Sequence, residues 1–324
     1  MEPLEEAVPE RLAQAEIDTA VSVARRVSEN IRRAVEVKDE VLEHVTVTML
    51  AEGHILVEDY PGVGKTALAR ALSRSIECQF ARVQCTADLL PADIVGTQVY
   101  NQREARFEFR PGPIFANVVI VDEVNRASPK TQSGLLECMQ ERHVTVDAMS
   151  HELARPFMVF ATQNPVEYEG TYPLPEAQVD RFMVRLSLGY PDASAEAGML
   201  AGHESRDRVL DLEAVADRAE VVDAVEVAHR VHASRALRDY IVALLRRTRA
   251  DDRVELGASP RAGLMLLRAA KARALVHGRD HALPDDVQAL ADAVLSHRLM
   301  LAPEAAGVRR SEIVAGAIAS VRAL

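Results

Sequence analysis

Two short stretches carry residues whose types and spacing suit phosphate chemistry. The first is Asp59-Tyr60-Pro61-Gly62-Val63-Gly64-Lys65-Thr66-Ala67. A triphosphate must be met by several donors at once, and Gly62 and Gly64 let the backbone curl so that its N–H groups converge on one point. Lys65 supplies a compact cation for the β and γ phosphates, and the Thr66 hydroxyl is a ligand for magnesium. The second stretch is Val118-Val119-Ile120-Val121-Asp122-Glu123, in which four β-branched apolar residues run straight into two carboxylates. A buried strand ending in paired carboxylates is costly unless something at its carboxyl end uses them. Asp122 suits magnesium, directly or through water, and Glu123 suits the base that orients and polarises an attacking water.

These groups need elements to hold them. Ile55-Leu56-Val57 reads as a buried strand feeding the first stretch, and Thr66 to Leu72 has helical spacing and strong helix formers. Strand, glycine turn and helix together aim a helix N-terminus at the phosphates. One position departs from the general phosphate-loop pattern: where glycine belongs, six residues before the lysine, the chain has Asp59, which brings a carboxylate toward an anionic ligand. Against this, Lys65 is one of four lysines in a chain with thirty-four arginines, so composition alone does not explain a lysine there. A further buried strand, Phe157 to Thr162, ends at Gln163-Asn164-Pro165. Asn164 then lies where a γ phosphate and its attacking water belong, although Asn-Pro is also ordinary turn chemistry.

The rest of the chain divides by composition. Residues 1–16 form an acidic lead; helices are expected over Ile17 to Val37 and Glu40 to Ala51, and another strand over Phe80 to Cys85. Val99-Tyr100 with Phe107-Glu108-Phe109, and Val144 to Glu152, have hairpin form. Ser128 as N-cap and Pro129 at the first helical position start a helix that runs to about Arg142. After a short helix at Pro175-Glu176 comes Asp180-Arg181-Phe182 and a last strand, Met183 to Leu188. From Pro191 onward the sequence is alanine- and arginine-rich with helical periodicity and no clear strand, which sets a core at 17–190 and a second domain at 191–324. Helices are expected there over Ala193 to Asp207, Val222 to Ala233, Ala236 to Thr248, Ser259 to His277, Pro284 to Leu299 and Ser311 to Val321. Ser259-Pro260 is a well-formed helix start that puts Arg261 in the first turn, as a surface arginine or a phosphate sensor.

At 324 residues, 48% hydrophobic and 27% charged, the chain is an ordinary globular one, and its net charge of −11 argues against a general nucleic-acid binder. Cys78, Cys85 and Cys138 are few and lack metal-ligand spacing, so they read as small buried apolar residues. His229 with His232, and His277 with His281, lack an accompanying carboxylate motif and read as surface features. With neither an apolar leader nor a membrane-length segment, the expected location is the cytoplasm.

Taken together, the segments from about Gly53 to Leu299 resemble the MoxR family of AAA+ ATPases. The most specific pieces are Thr86 to Thr97, Phe107 to Asn117, Asp122 to Ala127 continuing to Gln140-Glu141, Ala161 to Pro165, Tyr172 to Phe182 and Gly257 to Arg261. The resemblance implies an α/β P-loop core with a doubly wound parallel sheet, a smaller all-helical lid, and ATP with Mg2+ bound between them. It implies self-assembly into a ring, commonly hexameric, and action on client proteins, notably those with von Willebrand A domains. It assigns Lys65 and Thr66 to Walker A, Asp122 and Glu123 to Walker B, Asn164 to sensor 1, Arg261 to sensor 2 and Arg181 to the arginine finger, with Arg126 and Arg185 as weaker candidates for that trans role. The family tolerates a residue other than glycine at Asp59. Where it often has Val-Gly-Gln ahead of the P-loop strand, this chain has Glu36-Val37-Lys38, which weakens any assignment of base contacts there. Two other readings stand beside the remodelling ATPase: a DNA-translocating motor, disfavoured by the acidic charge, and a nucleotide-gated scaffold, disfavoured by the intact Asp122-Glu123 pair.

Overall fold

The computed structural model describes residues 12–60, 62–147, 149–164, 171–190 and 208–323. Pro61, Pro165, most of the acidic lead and the helix expected over 193–207 lie outside the described residues. The first half of the chain comprises α1 (Gln14–Ala34), α2 (Asp39–Leu50), β1 (Ile55–Glu58), α3 (Lys65–Ser75), β2 (Phe80–Gln84), α4 (Pro91–Val95), β3 (Gly96–Asn101) and β4 (Arg106–Pro111). It continues with β5 (Val118–Asp122), α5 (Pro129–Glu141), β6 (His143–Val146), β7 (Met149–Glu152), β8 (Met158–Gln163), α6 (Glu176–Val179) and β9 (Val184–Leu186).

Five of these strands form one parallel sheet in the order β2-β5-β8-β1-β9. Strands covered on both faces read as unbroken apolar runs, and β5 is buried at all five positions. Alternate residues of the inner strands serve two cores. Ile55, Val57, Ile120 and Phe160 face a cluster that includes α1, α2 and α3. Leu56, Val119, Val121 and Ala161 face another that includes α5. Because every strand runs the same way, the ends of β1, β5 and β8 open onto one edge, where Glu58, Asp122 and Gln163 emerge. The two stretches of hairpin form are antiparallel hairpins, β3–β4 and β6–β7, and both stand apart from the five-stranded sheet. The last strand is shorter than the apolar run over Met183 to Leu188, because Ser187, Leu188 and Gly189 leave the sheet to hydrogen-bond Asp59.

Beyond residue 207 lie α7 (Arg218–Arg230), α8 (Arg235–Arg249), β10 (Val254–Leu256), α9 (Pro260–Val276), α10 (Pro284–Leu295), β11 (Met300–Leu301) and α11 (Arg310–Ser320). This part is helical apart from the β10–β11 ribbon, whose strands of three and two residues are too short to show a period of two in the sequence. Its apolar residues, Leu266 and Leu290 among them, join the cluster that already holds α1, α2 and one face of the sheet, so hydrophobic packing is continuous between the two halves. Cys85 and Cys138 are buried and Cys78 half-buried, and burial pushes their thiols up to about 12, 11 and 11. No helix among the described residues is long and apolar enough to cross a membrane.

A buried arginine ties the helical part to the sheet. Arg298, whose side chain is 2% exposed, donates from Nε to Asp180 Oδ1 at 2.8 Å and from Nη2 to the Asp180 carbonyl at 3.2 Å. Its remaining donors reach the carbonyls of Phe182, Met183 and Val294. Burial pushes its pKa down to about 10, and Asp180 opposes that shift. Ser259 donates to the same carboxylate at 3.1 Å while its oxygen accepts the Ala262 N–H, capping α9. Asp180→Ala strips a buried cation of its only carboxylate among the described residues and is expected to lower the unfolding free energy by roughly 3–5 kcal/mol. Urea titration reads this; a loss under about 1 kcal/mol would mean that water solvates Arg298 and that the junction does not depend on the pair.

Candidate active site

The phosphate loop begins where β1 ends. Gly62 and Gly64 have φ of +87° and +93°, and a Cβ built on either would meet nothing within 4 Å. The backbone there is open to a ligand and adopts a conformation that glycine takes without cost. Gly64 is the N-cap of α3, so the first free N–H groups of that helix border the same space. Lys65 Nζ donates to the Asp59 carbonyl at 2.8 Å and closes the arch of the loop. Partial burial pushes the Lys65 pKa down, while Asp59, Asp122 and Glu123 push it back up.

Asp59, the apparent misfit of the motif, is turned away from the loop mouth. Its carboxylate, 5% exposed, accepts hydrogen bonds from the Ser187 hydroxyl at 2.8 Å and from the N–H groups of Leu188 at 2.5 Å and Gly189 at 3.3 Å. The negative charge expected near the ligand is spent instead on the segment leaving β9. Asp59, Tyr60 and Val63 are not among the described walls of the phosphate-side cavity, and Pro61 lies outside the described residues.

Opposite the loop, β5 delivers Asp122 and Glu123. Asp122, 6% exposed, accepts from Arg82 Nε at 2.7 Å and from the Thr162 hydroxyl at 3.2 Å. Glu123 has φ +56°, a left-handed conformation uncommon outside glycine. Its N–H is held by Thr162 Oγ1 at 3.0 Å, and its carboxylate accepts from Gln84 Nε2 at 2.9 Å and Arg126 Nη1 at 3.0 Å. The Thr162 hydroxyl thus accepts from one member of the acidic pair and donates to the other. Local strain of this kind persists where the surroundings over-determine it, and here a neighbouring strand does so.

The two sides enclose a cavity of about 210 Å³. Gly62, Gly64, Lys65, Thr66 and Ala67 form one wall. Asp122, Glu123, Thr162 and Asn164 form the other, with Arg82 and Gln84 beside them. Arg82, Gln84 and Thr162 were not singled out from the sequence. Arg82 and Gln84 are two apart on β2 and so share a face, but only the pairing of Gln84 with Asp122 in adjacent strands brings that face to the site.

Magnesium keeps waters and needs only one or two protein oxygens beside those of a phosphate, and Asp122 and the Thr66 hydroxyl on facing walls are oxygens of the kind that would fit it. An open glycine cradle, an ammonium, a carboxylate fit for a metal and a second for a water are the parts phosphoryl transfer to water requires.

Arg181 and Arg261 are brought to each other and not to this cavity. Arg261 Nη1 donates to Gln140 Oε1 at 3.1 Å, near the C-terminal end of α5, whereas the cavity lies by the helix start. Eleven residues of helix separate those ends by about 17 Å. The Arg181 guanidinium has no hydrogen-bond or ion-pair partner among the described residues; burial first, then the Arg261 cation, push its pKa down, while the Glu137 and Glu141 carboxylates push it back up. The described walls of the cavity come from the sheet domain alone, so the lid contact expected through Arg261 is absent from the chain's own site. Arg126 and Arg185 are occupied within the chain, by Glu123 and Glu58.

The profile of the ATPase family associated with various cellular activities (AAA) matches residues 54–184, and that of the AAA lid domain matches 246–316. Chaperone MoxR1 of Mycobacterium tuberculosis is 39% identical over 85% of this chain and 75% of its own. The chain belongs to the MoxR family of AAA+ ATPases. Protein YeaC of Bacillus subtilis is 47% identical over 91% of this chain and 92% of its own. A candidate ATPase from Cytophaga hutchinsonii, solved by crystallography, superposes with a TM-score of 0.89 at 35% identity, covering 96% of this chain and 98% of that one. Every described wall residue of the cavity falls inside the matched AAA segment, and Ser259, Arg261 and Arg298 fall inside the lid segment of this MoxR-family chain.

Proposed function

We propose that this MoxR-type ATPase hydrolyses ATP with Mg2+ at a site completed by a second copy of the chain in a ring, hexameric as is common in the family. The observation that carries the reading is the single cavity in which Lys65, Thr66, Asp122, Glu123 and Asn164 face an open glycine cradle. In it Lys65 and the loop N–H groups would bind the phosphates, Thr66 and Asp122 would hold the metal, and Glu123 with Asn164 would orient a water against the γ phosphate. A metal held there would supply neutralisation of the phosphate charge.

Arg181 and Arg261 support the trans part of the reading. Arg181 lies away from its own chain's cavity, feels the Arg261 cation, and has Glu137 and Glu141 near it without a hydrogen bond to either, so a polyanion presented by a neighbour would give it a direct partner. On this reading Arg261 acts on the adjoining subunit's nucleotide rather than on its own. Hydrolysis would then depend on assembly and would drive movement of the lid and hairpins against a client protein in the cytoplasm, of the von Willebrand A class by family resemblance. The chaperone designation of the mycobacterial relative agrees with client remodelling.

The test is ATP turnover per protomer across a wide range of protein concentration, with and without EDTA. Specific activity is expected to rise to a plateau as subunits assemble and to vanish with chelator. A flat profile down to the lowest concentration that can be assayed would make each protomer catalytically complete and end the shared-site reading.

A further inference from the structure

Beside the phosphate loop, Tyr60 and Tyr190 stack with ring centroids 5.8 Å apart and planes 17° from parallel. Both rings lie at the surface, 46% and 64% exposed, in a chain with 4% aromatic residues. A stack so open to water contributes little to a core, and it leaves aromatic surface available to a further flat ring. Its location is specific. Tyr60 is two residues from the cradle glycine Gly62, a chain distance of at most about 7 Å, which is within the span of a nucleotide from phosphate to base.

Tyr190 is held to the same place by Asp59. The three hydrogen bonds that the Asp59 carboxylate accepts from Ser187, Leu188 and Gly189 fasten the segment just before Tyr190 to the residue just before Tyr60. Gly189 has φ +67°, and Lys38 Nζ lies 3.4 Å from the position of a Cβ added there, so the connection between α1 and α2 closes the same corner. The residue that breaks the phosphate-loop pattern thus fastens together the two segments that carry the stacked tyrosines.

We propose that the Tyr60–Tyr190 stack is the platform for the purine base of the bound nucleotide; the proposal rests on the nucleotide reading of the adjoining cavity. Stacking of a base on an aromatic side chain changes affinity by about tenfold to a hundredfold and needs no hydrogen bonds to the base edge. The phosphates would then be recognised by one part of the loop and the base by another, with Asp59 setting the distance between them.

Titration of the full-length chain, Tyr190→Ala and Tyr190→Phe with ATP and with inorganic tripolyphosphate separates the two parts. The unmodified chain is expected to bind ATP more tightly than tripolyphosphate. Tyr190→Ala is expected to weaken ATP binding by about tenfold or more and to leave tripolyphosphate unchanged, and Tyr190→Phe to restore ATP affinity, since a phenyl face suffices. Equal affinity of the unmodified chain for the two ligands would overturn the platform. So would a Tyr190→Ala variant that keeps its ATP affinity within about twofold, or one that loses both ligands alike, which marks loop support rather than base contact. If the unmodified chain binds neither ligand, the nucleotide reading of the cavity itself fails.

Discussion

Arg181→Ala is expected to reduce ATP turnover by about 10³-fold or more while leaving ATP affinity within about twofold, the size of loss that removal of an arginine finger produces. The separation of the two effects follows from where the residue sits. Arg181 lies with Arg261 beside the C-terminal end of α5 and does not line the cavity that holds Lys65, Asp122 and Glu123, so its loss leaves that binding surface intact. Its guanidinium is part-buried with no hydrogen-bonded anion among the described residues, Glu137 and Glu141 acting on it only through space, and a neighbour's γ phosphate would supply a direct partner. The decisive check is mixing. Arg181→Ala combined with Glu123→Gln should regain measurable turnover, because some junctions then pair an intact Glu123 with an intact Arg181. Two inactive proteins that stay inactive when mixed, although co-assembled, would rule out a site divided in this way.

Glu123→Gln alone is expected to lower kcat by about 10² to 10⁴ with ATP binding preserved. Glutamine can replace the hydrogen bonds from Gln84 and Arg126 only in part, but the main loss is chemical, since an amide accepts no proton from water. Thr162 holds the backbone at φ +56° through the residue's own N–H, so the side chain at 123 keeps its direction after the substitution. Single-turnover hydrolysis beside a binding titration reads both quantities. A kcat within tenfold of the unmodified chain would remove Glu123 from the role of base.

Much of this arrangement was legible in the chain itself. The β-branched run over Val118 to Val121 admits a strand buried on both faces and little else, and the structure buries all of it. The order strand, glycine turn, Lys-Thr, helix carries its own geometry, because each piece is local. Ser128-Pro129 and Ser259-Pro260 announce helix starts for the same reason, and both serines accept the N–H three residues on.

What the chain did not disclose depends on contacts between residues far apart in sequence. Asp59 looks like a defect in a motif until Ser187 to Gly189 are seen to claim its carboxylate. Arg82, Gln84 and Thr162 are unremarkable strand residues until the order β2-β5-β8 sets them around Asp122 and Glu123. Arg261 was legible as a first-turn arginine, but its distance from the cavity is decided by how α9 lies against the end of α5, through Gln140. Local backbone preference and hydrophobic period act over a few residues and so determined the strands, the loop and the acidic pair. Strand order and helix packing are settled by burial summed over the whole chain, and only the tertiary structure decided which side chains share the site and which two arginines stand outside it.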